Sequence, residues 1–118
     1  MNARQLSFLG DAVFELLVRE FAIEKNVTKL NDLQEFTLRF VSAKRQAYFI
    51  DNLINNNNLS VEEMDIYRKG RNVKTHKSPK NCDMITYKRA TGFEVLIGYL
   101  YKNDKNRLYE VFDLIKEM

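Results

Sequence analysis

The sequence predicts an all-α fold, a helical bundle of about six helices. Apolar residues recur at helical spacing along nearly the whole chain. No stretch shows the Val, Ile and Thr-rich alternation of a strand. Breakers are also few, with one Pro and four Gly in 118 residues.

The first helix is expected over about Arg4 to Glu24. Its apolar residues, among them Phe8, Leu9, Val13, Phe14, Leu17 and Val18, cover most of the circumference. That pattern marks a central, buried helix. The second is expected to start after Thr28, whose hydroxyl suits a cap, and to run to about Phe40. Ser42 is the expected cap of a third, reaching about Ile54. The run "NNNN", Asn55 to Asn58, stops it. Ser60 followed by Glu63 forms a capping box that opens a short fourth helix to about Lys69. Next comes "GRNVKTHKSPKN", Gly70 to Asn81, a basic loop with the only proline. A long fifth helix follows from about Asp83 to Lys102, and a sixth from about Lys105 to Lys116. With no repeat or linker, residues 1–118 are expected to form a single domain.

No apolar run reaches the ~18 residues of a membrane span. The first residues, "MNARQL", lack the apolar core of a signal peptide. A single cysteine, Cys82, excludes an internal disulfide and a cysteine-built zinc site. A cytoplasmic setting away from membranes is expected. The net charge of +3 is unevenly spread. From Arg68 to Arg89 eight bases face one acid, Asp83, a local +7; the remaining eleven bases and fifteen acids leave −4. A one-sided basic block points to a polyanionic partner.

Two acids stand out within apolar helical sequence. Ser7, Asp11, Glu15 and Arg19 are spaced by four and form one polar stripe on the first helix. Glu15 can pair with Arg19, but Asp11 has no base three or four residues away, and Glu15 repels it. Glu94, in "TGFEVLIGYLY", has Ala90, Thr91, Ile97 and Gly98 at those positions, again without a base. A buried carboxylate needs a partner. Each acid also has a glycine close by, Gly10 and Gly98, in mid-helix positions that cost about 1 kcal/mol relative to alanine unless two helices meet there. If they do, Asp11 and Glu94 converge, and a hard cation with oxygen ligands, Mg²⁺ first, is the natural third party. The residues alone leave other readings open: an exposed helix edge, a distant Lys or Arg partner, and glycines that serve packing only.

At Phe8-Leu9-Gly10-Asp11-Ala12-Val13 and Phe93-Glu94-Val95-Leu96-Ile97-Gly98 the sequence resembles the catalytic domain of the ribonuclease III family. "FVSAKRQA", "KGRNVK", "SPKNCDMITYKRATGFE" and "LIGYLY" are similar to its small bacterial Mini-ribonuclease III subgroup, which lacks the double-stranded-RNA-binding domain. The resemblance implies a homodimer that cuts double-stranded RNA with Mg²⁺, or Mn²⁺ in its place. Large-subunit (23S) ribosomal RNA precursor is the implied substrate. It also implies Asp11 and Glu94 as catalytic metal ligands, with Glu15 as a further candidate. Two other acidic positions of the family fall at Ser7 and Thr91, which leaves fewer ligand charges, implies weaker metal affinity and counts against a two-metal mechanism more than against hydrolysis itself. Arg71, Lys74, His76, Lys77, Lys80, Lys88 and Arg89 are the candidate RNA contacts; any one of them reads equally as a solvated surface base. The alternative function is a non-catalytic duplex-RNA-binding module of the same fold.

Overall fold

The computed structural model describes residues 1–74 and 81–118. Six helices run in order: α1 (Ala3–Glu24), α2 (Leu30–Val41), α3 (Ala43–Asn55), α4 (Val61–Arg71), α5 (Met84–Asn103) and α6 (Lys105–Lys116). No strand occurs among the described residues. None of their helices is long and apolar enough to cross a membrane.

Local chemistry sets the boundaries. Asn2 caps α1 and shares a capping box with Gln5. Ser42 accepts from the Arg45 amide at the start of α3, and Ser60 and Glu63 form the expected box on α4. Asp83 and Asp104 cap α5 and α6 through the amides of Thr86 and Arg107. Each such cap satisfies an amide that has no partner inside its helix. The asparagine run ends α3, with Asn57 at φ 55, a left-handed turn that asparagine tolerates.

Three expectations are corrected. Thr28 does not cap α2; Lys29 holds that position and makes no side-chain bond to the helix. Gly70 does not open the basic loop, because α4 continues to Arg71. A Cβ on Gly70 would lie 2.7 Å from the Val95 side chain, so its absence lets α4 press onto α5. The central helix is α5 rather than α1. It packs against α1, α3, α4 and α6 and buries Ala90, Phe93, Val95, Leu96, Ile97 and Leu100. On α1, by contrast, Phe8 is 85% exposed, Leu16 56% and Ile23 67%.

The core sits where α1, α3, α5 and α6 meet. Phe14, Phe49 and Phe93 are fully buried. Phe14 and Phe93 pack edge to face with centroids 5.0 Å apart at 88°, an arrangement that contributes about 1 kcal/mol beyond burial. These two residues immediately precede Glu15 and Glu94 in sequence, so the aromatic contact fixes how α1 lies on α5 beside the acids.

Candidate active site

The crossing of α1 and α5 is a meeting of backbones. A Cβ on Gly10 would collide with the Glu94 carbonyl, and one on Gly98 with the Leu6 carbonyl. Any larger residue at either place would push the helices apart. The glycines thus bring Asp11, one residue after Gly10, against Glu94, four before Gly98. The two carboxyls stand within hydrogen-bonding reach. Asp11 opens to solvent and Glu94 is half-buried.

Glu94 is the electrostatically unusual group. Burial, then the hydrogen bond and like charge of Asp11, push its carboxyl up to about 8. Ser7 Oγ donates to Glu94 Oε1 at 3.2 Å. Gln46 on α3, 2% exposed, acts as a second donor, and both work against that rise. Among the described residues no basic side chain figures in the main influences on Glu94. A carboxylate pair without a protein cation is a natural place for an external one.

Among the described residues no three His, Cys, Asp or Glu side chains gather around one point. The protein therefore offers two carboxylates, which fits Mg²⁺, an ion commonly held by one or two carboxylates while keeping several waters. Glu15 is turned elsewhere, to Arg19 Nη2 at 3.1 Å. Thr91 donates to the Tyr87 carbonyl of its own helix at 3.0 Å. Of the two hydroxyl residues singled out in the sequence, only Ser7 bonds Glu94 among the described contacts.

The candidate RNA contacts divide. Lys74 and Lys88 line a groove that reaches Ser7 and Thr91. Arg71 lies over the Tyr67 ring, 5.6 Å from its centroid. Arg89 pairs with Asp51 at 3.4 Å. His76, Lys77 and Lys80 lie outside the described residues. Sequence reasoning missed Gln46, whose polar surroundings in "AKRQA" look like surface, and Arg4, which donates to the Lys74 carbonyl at 3.0 Å. No spacing signal marks either, because their partners lie far away in the chain.

Comparison with known proteins gives the family of the chain. The family model of the ribonuclease III domain matches residues 4–105. A Mini-ribonuclease 3 of Clostridium tetani is 42% identical over 117 residues, which cover 98% of this chain and 76% of that protein. One from Symbiobacterium thermophilum is 43% identical over 107 residues, 90% of this chain and 81% of that protein. A crystal structure of a Fusobacterium nucleatum protein superposes with a TM-score of 0.86 at 27% identity, covering 99% of this chain and 93% of that one. With its glycine-mediated crossing and paired acids in the matched region, the chain belongs to the ribonuclease III family, in its Mini-ribonuclease 3 group.

Proposed function

We infer that the chain, acting as a single catalytic domain, is an endoribonuclease that hydrolyses double-stranded RNA with Mg²⁺, for which Mn²⁺ substitutes. One observation carries the metal and site assignment: two carboxylates from separate helices face each other at a backbone crossing, and among the described residues no basic side chain figures in what acts on Glu94. Asp11 and Glu94 hold the ion. Bound there, Mg²⁺ supplies a Lewis acid that makes water a better nucleophile and offsets charge on the scissile phosphate. Ser7 holds one oxygen of Glu94, and Gln46 supports the same carboxyl from the core side. Asp11, at the solvent edge, faces the arriving strand. The basic residues from Lys74 to Arg89 grip phosphates on the approach, in keeping with recognition of A-form RNA by shape and backbone.

The substrate that the family resemblance favours is large-subunit (23S) ribosomal RNA precursor, in the cytoplasm. The active form is a homodimer. Supporting it, Phe8, Leu16 and Ile23 stand exposed on α1, as do Leu30 and Leu38 on α2, at 69% and 63%, and Ile23 shares a groove with these two. A groove of about 540 Å³ runs between these two helices. A two-fold pair joined through this face would place two copies of α1, each with one site, close together.

The deciding experiment incubates duplex RNA with the protein, with and without Mg²⁺, beside Asp11→Asn. Cleavage that needs both the ion and Asp11 supports the reading. Retained RNA binding without cutting by the wild type would favour the binding-module alternative.

A further inference from the structure

A second feature adjoins the carboxylate pair. The first turn of α1, the residues after α4 and the first two turns of α5 enclose a groove of about 440 Å³. Arg4, Ser7, Lys74, Tyr87, Lys88 and Thr91 line it. Ser7 belongs to both places, since its hydroxyl bonds Glu94 while its residue walls the groove. The groove is therefore continuous with the site.

Its charge is one-sided. Arg4, Lys74 and Lys88 make no ion pair among the described residues. The neighbouring stretch 75–80, Thr-His-Lys-Ser-Pro-Lys, contains no acid that could supply one. Three cations around one concavity repel each other unless an anion enters. Arg4 is also anchored, because one of its N–H groups bonds the Lys74 carbonyl at 3.0 Å. The guanidinium has five donors in a fixed fork, so others remain for a ligand of phosphate geometry.

Resting on the nuclease reading above, we propose that this groove is a phosphate subsite that seats a phosphate of the RNA strand next to the one being cut. Arg4 is its principal donor, Lys88 its second cation, and Tyr87 the wall against the sugar. Arg4, Ser7 and Asp11 follow one another along α1 at steps of three and four residues, on one edge of the helix. Seven residues of helix separate Arg4 from Asp11 by about 10 Å along the axis. Groove and carboxylates thus engage different phosphates of one strand. This arrangement also answers an electrostatic problem, because two acids alone would repel the strand they must cut.

Two measurements test it. The first titrates adenosine 5′-monophosphate, and separately adenosine, into the protein, followed by NMR of the Arg4 side chain and the Tyr87 and Lys88 amides. The nucleotide shifts these signals and the nucleoside does not; Arg4→Gln and Lys88→Gln each weaken the binding at least about fivefold. Equal responses to both compounds, or none, overturn the subsite. The second compares cleavage of duplex RNA. Arg4→Gln raises KM about tenfold, Arg4→Lys recovers part of the loss, and the Mg²⁺ concentration for half-maximal rate stays the same. An unchanged KM, or a loss confined to kcat and metal dependence, overturns the proposal. Lys88→Gln separates phosphate contact from anchoring of the chain at Lys74, since Lys88 has no described ion-pair partner to lose. If the wild type fails to cut RNA, the nuclease reading falls, while the nucleotide titration still decides the subsite.

Discussion

Two glutamates, one buried and one half-buried, show opposite uses of the same side chain. Glu63, 6% exposed, receives two bonds from Arg107, at 2.8 and 3.0 Å, and one from the Ser60 amide. The Arg107 guanidinium beside it holds its carboxyl below the usual range. Glu94 faces another acid and two neutral donors, and its carboxyl is driven up to about 8. The first joins the opening turn of α4 to α6 and serves the fold. The second weakens the fold at neutral pH, a cost that makes sense if a cation arrives from outside. The contrast teaches that what surrounds an acid, more than its burial, tells a structural group from a functional one.

The sharpest way to break the contrast is to remove each partner in turn. Asp11→Asn should reduce single-turnover cleavage at least about a thousandfold, roughly 4 kcal/mol. Its melting temperature should not fall, because the change removes a like charge. Arg107→Ala should do the reverse. It leaves the Glu63 carboxylate buried and unpaired, and urea unfolding should show a loss of about 3 kcal/mol. In the native chain Glu63 has a folded pKa below its ordinary 4.5. Its contribution is therefore present above 4.5 and lost as pH falls through the depressed value. The acid limb of unfolding should accordingly move to higher pH in the variant.

Gly98→Ala should come next, at about 2 kcal/mol, with cleavage impaired as well, because the new methyl meets the Leu6 carbonyl. The smallest effect is a pH trend. Glu94 in the fold holds its proton up to about 8, well above the unfolded chain. The folded state then binds more protons between about 4.5 and 8, so stability falls as pH rises through that window. Without metal, the melting temperature should drop by a few degrees from pH 5 to pH 8.5. Mg²⁺ should restore it at the alkaline end, and Glu94→Gln should flatten the trend. A trend of equal slope in Glu94→Gln would place its origin elsewhere.

Much of the fold could be read because helix signals are local. Ser42, and Ser60 with Glu63, announce their helices within four residues. Thr28 carried a similar signal and failed, since a hydroxyl near a helix start does not fix which residue takes the capping conformation. Gly70 looked like a loop residue because a close approach to α5 leaves no trace in neighbouring sequence. The acids of the site were visible for a different reason. Asp11 and Glu94 lack bases at helical spacing and lie beside glycines, both local facts. Their supporters Ser7 and Gln46, and the Glu63–Arg107 bond, depend on contacts between distant parts of the chain. So does the central place of α5, which follows from how four other helices pack on it.

The meeting of main chains at Gly10 and Gly98 bears on which ions the protein would accept. Carboxylates carried on a rigid, sidechain-free junction behave like the jaws of a fixed gauge. Mg²⁺ sits about 2.0–2.1 Å from its oxygens, whereas Ca²⁺ asks for roughly 2.3–2.6 Å and more of them. To admit the wider ion the Asp11 and Glu94 side chains would have to swing apart, since the backbone contact at the glycines fixes the spacing of the helices that carry them.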